Sequence, residues 1–170
     1  MFSRRRTSLD LGWKFKLADA ELLKPYERWL NAGGFLVGAP SRAMDDSNWS
    51  EVDLPHDFVV QAGFTPGEPV EYNYGDLYPS RGSRPVGVGW YRKRFPVPES
   101  DTGKRIYLYF DGAFRDSKVY LNQYWVGGCA SGYSSFFFDV TDIVNFGGEN
   151  LLVVRVDATQ PEGWFYEGGG

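Results

Sequence analysis

Apolar and polar positions alternate with a period of two along most of this chain. Trp13, Phe15 and Leu17 alternate with Lys14 and Lys16, which reads as a strand with one wet face. Gly89 to Phe95 places Trp90, Tyr91 and Phe95 among three basic residues, again as a strand. Ile106, Leu108 and Phe110 share one face of a third strand, with Tyr107 and Tyr109 on the other. Val119 and Leu121 mark a fourth, and Asn122-Gln123 reads as a tight turn into Tyr124-Trp125-Val126. Ser135 to Val140 forms another strand, rich in phenylalanine. Leu151 to Val156 is apolar on both faces, so it is expected at the centre of a sheet, covered on both sides. The one helical hint is Thr141 to Phe146, a single turn capped by Thr141 or Asp142 and stopped by Gly147-Gly148.

Strands at this spacing, without helical segments between them, predict an antiparallel sandwich. Two stretches lack any period. Ala18 to Asn48 includes a possible short helix near Leu22 to Leu30, and Gln61 to Val88 is broken by repeated Gly and Pro. Loops this long inside a compact domain are usually functional or disordered. The second also carries Phe64, Tyr72, Tyr74 and Tyr78, which suits docking against a ligand or another part of a larger protein.

Composition narrows the function. The 170 residues suffice for one domain with a core, and 1–170 is read as a single domain. A formal charge of −4 leaves no electrostatic footprint for nucleic acid, and Arg4-Arg5-Arg6 reads as a solvated lead-in. No stretch is long and apolar enough to cross a bilayer as a helix, and no membrane partner is expected. One cysteine, Cys129, and one histidine, His56, cannot build the usual structural zinc site, so neither metal nor other cofactor is expected. Nothing beyond their presence supports a Cys129–His56 nucleophilic pair. His56 beside Asp57 reads as a structural loop residue bonding nearby backbone, and Trp13, Trp49, Trp90 and Trp125 read as core.

Several segments, in order, resemble the N-terminal domain of glycoside hydrolase family 2, the β-galactosidase, β-glucuronidase and β-mannosidase group. These are Leu11-Gly12-Trp13-Lys14-Phe15, Asp45-Asp46-Ser47-Asn48-Trp49, Val52-Asp53-Leu54-Pro55-His56-Asp57-Phe58 and Gly89-Trp90-Tyr91-Arg92-Lys93. Phe110-Asp111-Gly112 through Leu121-Asn122, Gly132-Tyr133-Ser134-Ser135-Phe136, Asp139 to Asp142 and Gly148-Glu149-Asn150-Leu151 complete the series. The implied fold is an all-β antiparallel jelly-roll sandwich of the galactose-binding-domain type, with long loops and little helix. One departure is Asn122-Gln123, where the family often has Asn-Gly.

The resemblance implies a part of an enzyme. Retaining glycosidases need two carboxyl groups about 5–5.5 Å apart, and in this family both lie on a downstream (β/α)₈ barrel. The pairs Asp45/Asp46, Asp111/Asp116 and Glu162/Glu167 have simpler readings as turn, cap or solvated residues. Trp164 to Gly169 resembles the junction where the family's chain leaves the sandwich, so the terminal glycines read as a cut inside that junction. That junction lies near the sugar pocket, which an asparagine from the preceding long loop also reaches in the β-galactosidases. The implied substrate-binding residues are therefore Asn73, Glu162, Trp164 and Glu167. An amide exchanges hydrogen bonds with sugar hydroxyls and an indole stacks on a pyranose face.

The expected function is an accessory domain that packs on the barrel and shapes the sugar pocket of a β-glycosidase, a retaining β-galactosidase first. Its partners are then carbohydrate and the immunoglobulin-like and barrel domains of the same chain. An autonomous carbohydrate-binding module is the alternative, and an assembly module using the Gln61–Val88 loop a third reading. Destination is open, with periplasmic or secreted as the working expectation.

Overall fold

The computed structural model describes residues 4–18, 38–61 and 87–159. Within them the strands β1 (Trp13–Leu17) and β2 (Ser50–Val52) are followed by a four-residue helix, α1 (Phe58–Gln61). Six more strands complete the described set: β3 (Val88–Pro96), β4 (Tyr107–Phe110), β5 (Ser117–Leu121), β6 (Tyr124–Cys129), β7 (Phe136–Asp139) and β8 (Glu149–Asp157). The large sheet has the order β2-β1-β3-β8-β5-β6, and β4 pairs with β7 in a second, smaller sheet. All of these ladders are antiparallel.

The two sheets face each other across one apolar layer. Leu108, Phe136 and Phe138 of the small sheet cluster with Val119, Leu121, Leu152 and Val154 of the large one. A β-carbon on Gly127 would sit 2.4 Å from Phe138, so that glycine lets the β7 ring press onto the β6 backbone. The all-β sandwich expected from the pattern is the fold formed. β8 lies at the centre of the large sheet, between β3 and β5. Because side chains alternate along a strand, Leu152, Val154 and Val156 enter the layer between the sheets while Leu151 and Val153 enter a second cluster behind it.

That second cluster is closed by segment 38–49. Ala39 and Trp49 pack with Val88, Trp90, Tyr120, Leu151 and Val153. The tie is electrostatic. Arg92 of β3 has a wholly buried side chain, and its Nε donates to Asp46 at 2.7 Å. Its Nη1 donates to the carbonyls of Ala39 and of Ser41, the latter at 3.0 Å. Its guanidinium also lies 5.8 Å from the Trp49 ring centre. Burial pushes the Asp46 carboxyl up, but hydrogen bonds from Arg92 and Arg94 outweigh it and hold the group below its usual range.

The tight turn expected at Asn122-Gln123 is formed, and three other local features differ from the sequence expectation. The Asn122-Gln123 turn has both residues at positive φ, 50° and 76°, although no glycine is present. Asn122 is held there by its own side chain, which donates to Ile143 O at 2.8 Å and Asn150 Oδ1 at 2.7 Å and accepts from Leu151 N at 3.0 Å. The turn after β7 is capped by Asp139, which accepts from Thr141 N, rather than by Thr141 or Asp142. α1 was not foreseen, being too short for a period; Asp57 caps it by accepting from Val59 N and Val60 N, each at 3.0 Å. Finally, Trp13, Trp49 and Trp90 are buried as expected, but Trp125 is 69% exposed. It sits on β6, at the edge of the large sheet, where the 38–49 cover does not reach. The possible helix near Leu22 to Leu30 lies outside the described residues.

Removing Asp46 leaves a buried cation without its carboxylate. Asp46→Ala is expected to lower unfolding stability by about 3 kcal/mol. Chemical denaturation would show this as a lower midpoint with an unchanged slope.

Candidate functional site

Antiparallel pairing fixes which chain ends share one end of the sandwich. β1 ends where β3 begins, with Leu17 opposite Gly89, and Ala18 N donates to Val88 O at 2.7 Å. β8 ends beside the same point, with Asp157 opposite Val88, and Ala158 N donates to Gly87 O at 2.9 Å. The segment before Gly87, which carries Asn73, and the segment after Thr159, which carries Glu162, Trp164 and Glu167, are therefore rooted side by side. All four residues lie outside the described set.

The root of the second segment is fastened by Asp157, a residue that sequence reasoning missed. Asp157 Oδ2 accepts from Arg155 Nη2 at 2.8 Å, and Oδ1 accepts from the Thr159 amide at 3.0 Å and from its hydroxyl. Asp157 N in turn donates to Arg115 O at 2.9 Å, which joins the 111–116 loop to the same end. Burial pushes the Asp157 carboxyl up, but the Thr159 and Arg155 donors outweigh it, so it ionises below its usual range. The available signal was Asp157-Ala158-Thr159, an Asp followed two residues on by a hydroxyl residue, which favours an Asx turn.

The first segment starts from α1, which is clamped to the sheet. A β-carbon on Gly89 would lie 2.8 Å from Phe58 and 3.0 Å from Phe15, so the helix rests directly on the β3 backbone. Below it, His56 is buried, with Nδ1 2.8 Å from the Tyr91 hydroxyl and Nε2 2.8 Å from Gln61 Oε1. Tyr91 donates to Nδ1 and Nε2–H donates to Gln61 in the tautomer that satisfies both contacts. Burial, and after it the charge of Asp57, raises the Tyr91 phenol well above its ordinary value. His56 is structural, as expected, but its partners are side chains and not the nearby backbone.

Asp45 and Asp46 are each held by neighbouring groups. Asp46 is committed to Arg92 and Arg94, each at 2.7 Å, and Asp45 Oδ1 accepts from Ser47 N at 2.9 Å. Cys129 is on β6, three strand spacings or about 14 Å from the β3 strand that holds His56. Among the described residues, no three His, Cys, Asp or Glu side chains gather as a metal site. An open groove of about 570 Å³, lined by Arg42, Asn122, Tyr124 and residues 142–145, lies at the opposite end, at the β5–β6 turn. It is open, and the Asn122 side-chain amide at its wall is taken up by the turn network.

Residues 7–167 match the family model described as glycosyl hydrolases family 2, sugar binding domain. The chain belongs to that family. This sugar-binding domain is 34% identical over 168 residues to the β-galactosidase BoGH2A of Bacteroides ovatus, covering 98% of the domain and 17% of that enzyme. It is 29% identical over 127 residues to a β-glucuronidase of Formosa agariphila, covering 72% of the domain and 12% of that enzyme. Its fold superposes on the crystal structure of a β-glycosidase from Bacteroides vulgatus with a TM-score of 0.72 and 31% identity, over 95% of the domain and 18% of that chain. The domain thus spans less than a fifth of the length of these relatives, which include both galactosidases and glucuronidases.

The pH dependence of the root follows from Asp157. Its depressed folded-state value means that its contribution to stability is present above the unfolded carboxyl value and is lost as pH falls through the folded one. Asp157→Asn is expected to be less stable than the parent at pH 7 and to lose less on acidification below about pH 4. Thermal melts across that range test both effects.

Proposed function

We propose that residues 1–170 form one accessory domain of a longer family 2 glycosidase, packing on a catalytic barrel and completing its sugar pocket. The observation that carries this reading is the pairing of Gly87 with Ala158, which sets the roots of the Asn73 segment and the Trp164 segment against each other. Two segments rooted a single strand spacing apart are suited to closing on one ligand. Asn73 then gives and accepts hydrogen bonds with sugar hydroxyls, Trp164 stacks on a pyranose face, and Glu162 and Glu167 accept from hydroxyls. The reacting carboxyl pair belongs to the barrel domain, with an immunoglobulin-like domain between the two. A retaining β-galactosidase is the first specificity, supported by the identity to BoGH2A, and a β-glucuronidase the second, supported by the Formosa relative.

In the full-length enzyme, Asn73→Ala and Trp164→Ala are each expected to raise KM for a methyl β-glycoside about three- to tenfold, the scale of one lost hydrogen bond or stacking contact. Steady-state kinetics on galactoside and glucuronide give the size of the effect and the specificity together. The purified 170-residue chain is expected to release no nitrophenol from nitrophenyl β-galactoside or β-glucuronide, and measurable turnover would overturn the accessory role.

A further inference from the structure

The outward face of the small sheet carries an aromatic and basic patch that the fold does not use. Tyr107, Tyr109 and Phe137 are 47%, 54% and 63% exposed, while their strand neighbours Leu108, Phe136 and Phe138 point into the core. Tyr109 stands directly opposite Phe137 in the ladder, and the Tyr107 and Phe137 rings meet edge to face at 6.0 Å. A guanidinium sits at each end of this row. Arg105 lies 5.8 Å from the Tyr107 ring centre and Arg6 lies 5.6 Å from that of Tyr109.

The charge around the rings is positive, in a chain whose net charge is −4. Arg105 donates to Asp139 through both Nε, at 3.0 Å, and Nη2, and lies within reach of the Asp142 charge, yet it keeps most of its side chain in solvent. Asp139 is shared further, with the Thr141 amide and hydroxyl. Arg5 and Lys104 share a single carboxylate, Asp101, each at 2.6 Å. Among the described residues no carboxylate pairs with Arg6. Four cations thus answer to three carboxylates, Asp101, Asp139 and Asp142, beside three exposed rings. Exposed aromatic patches of this kind mark binding surfaces, and guanidinium groups favour planar anions such as carboxylates.

We propose that this face binds an anionic glycan, a uronate-bearing oligosaccharide. The pyranose faces lie on Tyr107, Tyr109 and Phe137, and the uronate carboxylates pair with Arg6 and Arg105. The surface lies on the outside of the small sheet and is separate from the roots of the Asn73 and Trp164 segments, so it stands independently of the pocket reading.

Calorimetric titration of the 170-residue chain with hexagalacturonate and with the neutral cellohexaose tests the proposal. Binding is expected for the uronate and not for cellohexaose, weakening as salt rises to about 0.5 M because the charges are exposed. Tyr109→Ala, Phe137→Ala and Arg6→Gln are each expected to weaken it about three- to tenfold, with circular dichroism unchanged because all three side chains face solvent. Trp125→Ala, an exposed ring on the other sheet, is expected to have no effect. The proposal is overturned if hexagalacturonate does not bind, if cellohexaose binds as well, or if Trp125→Ala causes the same loss. Sedimentation showing that the chain self-associates through this face, with Tyr109→Ala restoring the monomer, would assign the patch to a second copy and likewise overturn it.

Discussion

The buried guanidinium of Arg92 is the constraint on which the back of this domain depends. A charge held at the centre of a sheet is tolerated only when its donors are matched. Here the matching groups are Asp46 and the carbonyls of Ala39 and Ser41, all from one irregular segment. Satisfying the charge therefore also places Ala39 and Trp49 over Trp90 and Val153, and the apolar cover follows from the polar tie. A sheet covered only from the front would leave half of β8 wet. With the tie in place β8 is dry on both sides, and the five strands around it gain a rigid reference.

That rigidity passes to the two chain departures at Gly87 and Thr159. Neither segment leaves the sandwich from a loose end. One is fixed by the Asp157 network and the other by a helix pressed on β3. Position at a binding site is inherited from the elements beneath it. The sandwich supplies that foundation for both segments.

The strands were legible because their information is local. Alternation at Trp13–Leu17 and the doubly apolar run Leu151–Val156 stated both the element and its depth. What stayed hidden depends on distant partners. Arg92 reads as one of three basic residues in a strand, since its carbonyl partner Ala39 is 53 residues away. Trp125 reads as core because the pattern does not say that β6 is an edge strand. His56 meets Tyr91 across 35 residues, which no motif spacing encodes. The candidate sugar contacts Asn73, Glu162, Trp164 and Glu167 came from resemblance alone, and geometry now supplies only the positions from which their segments start.

The contact at Gly89 has a consequence for how such a domain can change. Two rings, Phe58 and Phe15, occupy the volume that any side chain at this position would need. A larger residue there would act as a wedge under α1, tilting the helix that precedes the 62–86 segment. The start of that segment could then shift through a backbone lever buried in the core. Comparisons confined to surface residues would overlook it.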